Sequence, residues 1–428
     1  MSIIIGLIFL LMVIHLAIGL PLFVVLGLGS IGLILTSDFY SISVVGSEPF
    51  TALDNWALLA MPLFILTGDI VSTGKIARQL VNLGKATLGW MPGGLGMTAI
   101  GGCFFFGGTS GSNSADTAAI GKIMIPSMEE NGYSREYSAA LAAAGGCLGI
   151  IVPPSLIFII YGVVTSTSVG DLFVAGIVPG VLMAGALCVA NYMLCKFWGW
   201  GPVDRTKFRV RDVGSALWGA KWGLLAPGII LAGIYSGVFT PTESAAVAVA
   251  YCFAVEIFIT RGVRASQAHT LFLSSGRLTG MIGPVIAFSV LFAKALAVLG
   301  IPDVVASSII SLASTKTSLI LSIALILFLA GCFLETMAAI IILMPIILPI
   351  ATTIGFDGVH LGIFVVCALT VGFITPPIGI NLFAASAVSG VPYLTIARRA
   401  WPLCVALLLT VLLLAFVPQL SLVLLGRS

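Results

Sequence analysis

Charged residues are scarce in this sequence. Of its 428 residues only 8% are charged, while 59% are hydrophobic, and the mean hydropathy is +1.19. A soluble domain usually carries about 25% charged residues. A chain with so few cannot cover a water-facing surface, which excludes a soluble enzyme, a nucleic-acid-binding protein and a disordered protein. The sequence therefore predicts a polytopic protein whose solvent is the lipid bilayer and which has no nucleic-acid partner.

Signals for metal binding, secretion and ATP use are also lacking. The eight cysteines lie one at a time in apolar segments, and the three histidines are far apart, so no pair has the spacing of a zinc or redox site. No Lys or Arg precedes the first apolar run, which disfavours a cleavable signal peptide. That run predicts one long membrane helix or two short ones joined at Pro21. The sequence has no P-loop, so ATP is not the expected energy source.

Nine segments are apolar over the length that a membrane span needs, which is about 20 residues. These predicted spans are 3–36, 50–73, 137–166, 171–197, 221–239, 241–260, 279–299, 359–388 and 401–425.

Two further segments, 88–128 and 317–352, combine two apolar arms with a polar, Gly/Ser/Thr-rich centre. Each arm is short for a full span, so each segment predicts a helical hairpin that enters and leaves by the same face. Irregular backbone is tolerated at membrane depth only where protein or a wet cavity surrounds it. We therefore expect both hairpin tips to point inward.

Two predicted spans contain adjacent prolines, Pro153-Pro154 and Pro376-Pro377. Such a pair removes two backbone donors and disfavours helix in the preceding residue. Each span is therefore predicted to be a broken helix with free backbone groups near mid-membrane.

The order of hairpin, broken helix and final helix occurs twice. Orientation follows from the basic residues: placing the 74–89 loop in the cytoplasm puts 16 of the 19 Lys and Arg residues there and predicts a cytoplasmic N-terminus. The two halves are then inverted copies, an architecture of secondary transporters with the binding site at the repeat interface. The repeat is carried by Gly149, Pro153, Pro154 and Pro179, which recur 223 positions later as Gly372, Pro376, Pro377 and Pro402.

Several motifs resemble one family, the large membrane subunit of TRAP transporters, which are binding-protein-dependent secondary transporters. The matching stretches are MPLFILTG at 61–68, the hairpin tip GTSGSNSAD at 108–116, both Pro-Pro breaks, and GVFTPTESAA at 237–246, the most specific of them. The resemblance covers essentially the whole chain and is greatest to the sialic-acid branch.

The resemblance implies Na⁺-coupled import of an organic acid, best guessed as sialic acid, across the bacterial inner membrane by an elevator movement, with a fold like that of the ion transporter superfamily. It also implies a periplasmic substrate-binding protein and a small four-helix membrane subunit on a separate chain. We expect the hairpins and broken helices to move as one unit. The predicted parts are a scaffold at 1–73 and 171–299 with a basic linker at 196–221, transport halves at 88–166 and 317–388, and a C-terminal helix at 401–428.

Na⁺ prefers several oxygen ligands, which a hairpin tip facing a broken helix supplies. An acidic substrate finds no Arg in mid-membrane segments, so helix N-termini are expected to bind it. Asp116 and Glu335, at equivalent tip positions, are also candidate helix caps. The predicted residues are Ser110, Ser112, Asn113, Gly145 and Gly149 for Na⁺ site one; Gly331, Phe333, Glu335, Gly372, Thr375 and Ile378 for Na⁺ site two; and Ser110, Ser155, Asp116, Thr336 and Asn381 for substrate.

Other interpretations were weighed. Small residues at the hairpin tips could serve only close helix packing. Gly108-Thr109-Ser110-Gly111 fits an intramembrane serine protease, but its only deep histidine would be His15, and the inverted repeat has no role in that chemistry. An aquaporin-like channel is a further alternative, but the sequence lacks the Asn-Pro-Ala pair that such channels use. A stand-alone Na⁺-coupled dicarboxylate symporter of the same fold is the main alternative.

Overall fold

The structure, a computed structural model, describes residues 2–36, 43–200, 209–312 and 315–427. Within these ranges the chain forms helices and connecting turns and no strand. Eight of the described helices are long and apolar enough to cross a membrane. The prediction of an all-α polytopic membrane protein is confirmed.

Ten of the helices in the described residues lie in the first half of the chain. They are α1 (Ser2–Ala17), α2 (Leu22–Leu35), α3 (Ser43–Leu53), α4 (Ala60–Thr73), α5 (Ile76–Leu88), α6 (Gly94–Ser110), α7 (Asn113–Glu130), α8 (Arg135–Gly146), α9 (Leu156–Thr165) and α10 (Val169–Trp198).

In the second half, ten more helices follow. They are α11 (Val210–Tyr235), α12 (Pro241–Ala254), α13 (Ala268–Val298), α14 (Ile301–Leu312), α15 (Lys316–Phe333), α16 (Thr336–Thr353), α17 (Gly358–Val371), α18 (Ile380–Ser389), α19 (Tyr393–Phe416) and α20 (Gln419–Leu422).

Both predicted hairpins are present. Hairpin one pairs α6 with α7, and its turn uses Gly111 in the left-handed region at φ +60°, which glycine adopts without a Cβ penalty. Hairpin two pairs α15 with α16 through Leu334 and Glu335. Glu335 caps α16 as expected, but Asp116 does not cap α7. Ser112 takes that place, because the turn at Gly111 starts the returning helix one turn before Asp116.

Both predicted broken helices are present as well. In the first, α8 tightens into a 3₁₀ turn at Cys147–Ile150 and the chain resumes as α9. In the second, α17 tightens at Gly372–Ile374 and resumes as α18. The Pro-Pro pairs lie in the gaps, where the missing N–H groups break no helical hydrogen bond.

The two broken helices run antiparallel, and hydrogen bonds join them at both ends of the pair. Arg135 Nε at the start of α8 donates to Ser389 O at the end of α18 at 2.8 Å. At the opposite end of the pair, Tyr161 OH of α9 donates to Gly358 O at the start of α17 at 2.8 Å. Each helix therefore begins beside the other's end, which is the geometry of an inverted repeat.

The centre of the repeat is a pair of equivalent residues in mutual contact. Cys147 Sγ lies 3.3 Å from Thr370 O, and Thr370 Oγ1 donates to Cys147 O at 3.1 Å. These residues are separated by the repeat offset of 223. Equivalent residues can touch only close to the axis that relates the two copies, so Cys147 and Thr370 mark that axis.

Two predicted boundaries are resolved or corrected. The run at 3–36 forms two helices that meet at Pro21, the second of the two alternatives. The basic linker is shorter than predicted: α10 continues to Trp198 and α11 begins at Val210. The start of α11 looked like linker because it is polar, yet Lys221 folds its ammonium over the Trp218 ring at 3.2 Å, as long basic side chains do near apolar surfaces.

The helices pack in two groups, named here by their helices. The scaffold group is α1–α4 with α11–α13; the hairpin group is α6–α10 with α15–α20. Helices α5 and α14 precede the two hairpins and contact both groups. Helix α10, predicted to belong to the scaffold, packs mainly against α6, α17 and α19. Which helices move remains a prediction.

Candidate substrate and cation site

A cavity of about 260 Å³ lies between the scaffold group and the hairpin group. Both hairpin tips and both broken helices reach it, as the inverted repeat predicts. Helices α4 and α13 close it from the scaffold side. Its lining includes Gly111–Ala115 and Glu335–Met337 from the tips, Ile150, Leu156, Phe373 and Ile380 from the breaks, and Ile65, Asp69, Ser72, Leu278 and Ile282 from the scaffold.

Four helices begin at this cavity: α7, α9, α16 and α18. The first N–H groups of a helix have no partner within it, and they carry partial positive charge. No Lys or Arg is among the described residues that line the cavity, and its charged lining residues are Asp69 and Glu335. Ser112 caps α7 and Glu335 caps α16, whereas no side chain caps α9 or α18 among the described residues. An anion here would therefore be bound by the backbone N–H groups of α9 and α18 rather than by a basic side chain.

Hairpin one and the first break meet at Gly149, whose Cα would lie 2.5 Å from a Cβ at Gly107 of α6. A Cβ at this position would lie 2.1 Å from Asp116 Oδ2 and 3.4 Å from Ser112 O, so only glycine fits. The structure thus brings Ser112, Asn113 and Gly149 of predicted site one together. It places Gly145 one turn away, where its Cβ position is 3.0 Å from Cys103 Sγ of α6. Ser110 ends α6, and its side chain lies outside the described residues.

Two buried amides lie beside this contact. Asn113 Nδ2 donates to Thr370 Oγ1 at 3.0 Å, and Asn381 Nδ2 donates to Ala143 O at 3.0 Å. Both Oδ1 atoms are buried without a hydrogen-bond partner among the described residues. A buried acceptor left unsatisfied costs about 1–3 kcal/mol. Oxygen atoms of this kind fit a hard cation such as Na⁺.

Predicted site two is brought together only in part. A Cβ at Gly372 would lie 2.1 Å from the Gly331 carbonyl carbon, so hairpin two touches its break as hairpin one does. Glu335 caps α16, with Oε2 accepting from Met337 N at 2.9 Å, and it lines the cavity. The Thr375 hydroxyl, however, donates to Val371 O at 3.0 Å and lies 3.3 Å from Cys404 Sγ of α19. Its side chain therefore faces α19 rather than the hairpin tip.

Two further members of site two lie at the group's surface. Phe333 is the last residue of α15 and its side chain is 58% exposed. Ile378 lies in the gap before α18 and is 39% exposed. Only their backbone carbonyls could serve a cation.

The residues predicted to bind substrate separate into two sets. Thr336 lines the cavity, and its buried hydroxyl has no hydrogen-bond partner among the described residues. Ser155, Asp116 and Asn381 are buried and do not line it. The Ser155 hydroxyl donates to Ile150 O at 2.6 Å, because the interrupted backbone needs a donor there. A substrate contact for these three would require rearrangement.

The sequence analysis missed Asp69 and Thr370. Asp69 of α4 lines the cavity and accepts a hydrogen bond from Ser275 Oγ of α13 at 2.9 Å. Its position within an apolar span was the signal that could have found it, since ionisable residues in spans are functional candidates. Thr370 could have been found from the repeat, since it is the equivalent of Cys147.

Comparison with known proteins gives one family. The family model described as "Tripartite ATP-independent periplasmic transporter, DctM component" matches residues 8–420. The C4-dicarboxylate TRAP transporter large permease protein DctM of Pseudomonas aeruginosa is 39% identical over 93% of each chain. The sialic acid TRAP transporter large permease protein SiaM of Vibrio cholerae is 33% identical over 95% of each.

One relative is longer than this chain. The isethionate TRAP transporter permease protein DctMQ of Oleidesulfovibrio alaskensis is 37% identical over 94% of this chain. The chain spans 63% of that relative's length.

Two solved structures share the fold. The YdaH transporter of Alcanivorax borkumensis superposes with a TM-score of 0.65 at 16% identity, covering 88% of this chain and 87% of its own. MtrF of Neisseria gonorrhoeae gives a TM-score of 0.63 at 13% identity, covering 88% and 84%. At such identities the likeness concerns the fold alone.

Proposed function

The chain belongs to the DctM component family of tripartite ATP-independent periplasmic transporters, and from this premise we propose that it imports an organic acid together with Na⁺. It is an integral membrane transport protein and not an enzyme. The observation that carries the proposal is the cavity at which two hairpin tips, two broken helices and four helix N-termini meet. Such a site can hold an anion by N–H groups and cations by carbonyl oxygens at once.

The acid we propose is a carboxylate or sulfonate of small or moderate size. The named relatives carry isethionate, C4-dicarboxylate or sialic acid in their names, and all three compounds are anions. Sialic acid remains the prediction of the sequence analysis, and the two other compounds are its competitors. The absence of a basic side chain among the described lining residues favours an anion that is bound only while Na⁺ is present.

Na⁺ coupling supplies enough energy without ATP. A roughly tenfold Na⁺ gradient provides about 1.4 kcal/mol per ion, and a potential of about 100 mV adds about 2.3 kcal/mol per charge. Two Na⁺ moving with one monovalent anion leave about 5 kcal/mol, which supports accumulation of the acid by about 10³- to 10⁴-fold. When bound, Na⁺ would be held by Asn113 with the backbone near Ser112 and Gly149, and at the second site by backbone near Gly331 and Gly372.

We further propose the partners and movement that the family implies: a small membrane subunit, a periplasmic binding protein, and an elevator movement of the hairpin group past the scaffold group. The packing of α10 and α19 against the broken helices supports including both in the moving group.

The prediction of a cytoplasmic N-terminus treated the segment 3–36 as a single membrane crossing. Because α1 and α2 are antiparallel, we propose instead that the N-terminus lies on the membrane face opposite the basic loops.

Uptake into proteoliposomes tests the proposal. The vesicles hold this chain and a small-subunit partner, with labelled sialic acid, a C4-dicarboxylate or isethionate outside. Each acid is tested with an inward Na⁺ gradient, with equal Na⁺, and with or without a purified binding protein. Uptake of one acid that needs both the gradient and the binding protein supports the proposal. Uptake with Na⁺ alone supports the stand-alone symporter, and uptake independent of Na⁺ overturns the coupling.

A further inference from the structure

Helix α5 connects the scaffold group to the hairpin group. It follows α4 and leads into α6, the first arm of hairpin one. Near its start, Ile76 packs on Gly223 of α11, where a Cβ would be only 2.7 Å from Ile76. Near its end, Lys85 Nζ donates to Ser127 Oγ of α7 at 2.9 Å. The helix therefore changes partner along its length, from scaffold to hairpin.

A buried carboxylate from the scaffold holds the start of α5. Glu256, in the turn that continues α12, is fully buried. Its Oε1 accepts from Lys75 N and from Ile76 N, both at 2.9 Å, and its other oxygen accepts from the Thr260 hydroxyl. These backbone N–H groups are the ones a helix start leaves unpaired. In the part of the chain that the structure describes, no side chain next to α5 in sequence caps it, so Glu256 does so from about 180 residues away.

The backbone around Glu256 is shaped to admit it. A Cβ at Gly74 or at Gly262 would lie 2.1 Å from the carboxylate, so both positions need glycine. The segment Val255–Ile259 is a π-helical turn, a form that is rare and often found at functional sites. Lys75 Nζ also donates to Thr260 O at 3.0 Å. The α4–α5 junction is thus fixed to the end of α12.

The chain that follows α5 is fixed within the hairpin group at the start of α6. Gly93, in the left-handed region at φ +75° just before α6, accepts a hydrogen bond at its carbonyl from Asn191 Nδ2 of α10 at 2.8 Å. Asn191 Oδ1 accepts from Tyr137 OH of α8 at 3.0 Å. Asn191 is fully buried. The connection between the two groups is therefore held by polar contacts at the start of α5 and at the start of α6.

We propose that α5 is a connecting lever between the two groups, with Glu256 as its fixed pivot on the scaffold and the start of α6 as its attachment to the hairpin group. This inference rests on the proposed transport function. The hairpin group then moves by rotating α5 about the Gly74–Lys75 junction while the Glu256 hydrogen bonds persist. Glu256 is a positioning residue: neither it nor Lys75 nor Ile76 is among the residues lining the cavity. Its loss should slow movement without weakening substrate binding.

The test compares Glu256→Ala and Glu256→Gln with two matched controls, Asp357→Ala and Asp357→Asn. Asp357 Oδ1 also accepts from two backbone N–H groups, Val359 at 2.7 Å and His360 at 3.3 Å, but it caps a helix inside one group. Two quantities are measured: amide hydrogen exchange at Lys75 and Ile76, and the maximal uptake rate and KM in proteoliposomes, normalised to folded transporter.

For Glu256→Ala we expect faster exchange at Lys75 and Ile76, a maximal rate lower by about tenfold, and a KM within about twofold of wild type. The exchange and the maximal rate of Glu256→Gln should lie between those of wild type and Glu256→Ala, because the amide oxygen still accepts hydrogen bonds but carries no charge. Both Asp357 variants should keep their maximal rates within about twofold of wild type. A wild-type maximal rate in Glu256→Ala, or an equal loss in Asp357→Ala, overturns the pivot.

Two complications have separate readouts. If Glu256→Ala does not fold, Glu256→Gln carries the test, and a wild-type maximal rate together with wild-type exchange in that variant overturns the proposal. If wild type takes up none of the acids, the proposed function fails. The role of Glu256 as the pivot is then tested by hydrogen exchange alone, and unchanged exchange at Lys75 and Ile76 in Glu256→Ala overturns that role.

Discussion

At the residue scale, the site depends on close contacts at glycines. Gly372 lets hairpin two touch its break backbone to backbone, and Gly149 leaves room for the Asp116 carboxylate of hairpin one. The sequence analysis found these positions because Gly-rich tips and Pro-Pro breaks are visible as composition. It did not find where Ser155 and Thr375 point, because a hydroxyl beside a broken turn bonds the nearest free carbonyl, and that choice depends on the local fold.

The first prediction concerns Gly149→Ala. The new methyl group would overlap the Asp116 carboxylate, which lies in the interior, so we expect a loss of stability of about 1–3 kcal/mol and strongly reduced Na⁺-dependent uptake. Gly185→Ala is the control, because a Cβ there meets no atom within 4 Å and alanine favours the helix by about 1 kcal/mol. Thermal unfolding and uptake measure the two effects, and equal behaviour of both variants contradicts the contact.

The second prediction concerns Asn113→Ala, which removes one carbonyl oxygen from the proposed Na⁺ site one. The Na⁺ concentration for half-maximal uptake should rise by about tenfold, equivalent to about 1.4 kcal/mol. Asn131→Ala, at the far end of the same helix, where Asn131 Nδ2 donates to Ser127 O at 2.7 Å, should leave it unchanged. An unaltered Na⁺ dependence in Asn113→Ala would remove this residue from the site.

At the element scale, helix ends rather than helix faces carry the function. The two hairpins were predicted close to their observed bounds, since an apolar-polar-apolar pattern defines a hairpin by itself. The short helices α5 and α14 were not predicted, because a search for 20-residue apolar spans passes over amphipathic helices of 13 and 12 residues. These two helices matter because they contact both the scaffold group and the hairpin group, and the sequence alone does not predict those contacts.

The third prediction concerns the start of α6, where the chain from α5 enters the hairpin group. Asn191→Leu leaves Gly93 O and Tyr137 OH buried without their partner, at a cost of about 1–3 kcal/mol. Tyr137→Phe removes only the hydroxyl and keeps its ring 4.7 Å from the Trp200 ring, so its effect should be smaller. Thermal unfolding of both single variants and the double variant gives the coupling, and strict additivity would show that Asn191 and Tyr137 do not act together.

At the scale of the whole molecule, the inverted repeat determines where the site lies. The offset of 223 was readable from glycines and prolines, and the structure shows Cys147 and Thr370 at its axis. What the sequence could not predict is the partition into groups. Helix α10 is apolar over most of its length, as a scaffold helix would be, and only its contacts with α6, α17 and α19 place it beside the broken helices.

The central claim, that the hairpin group moves past the scaffold group, is tested most directly by a distance measurement between them. Spin labels would be attached at Phe258 on the scaffold and Leu394 on α19, both exposed, with Leu394 and Met193 of α10 as a control pair within the hairpin group. Of the native cysteines, Cys188 is half-buried and the other seven are buried, so Cys188→Ala gives a suitable background.

We expect two distances for the Phe258–Leu394 pair, whose populations shift when Na⁺ and the transported acid are added together, and one constant distance for the control pair. A single, unchanging Phe258–Leu394 distance in a protein that still takes up the acid would contradict this expectation.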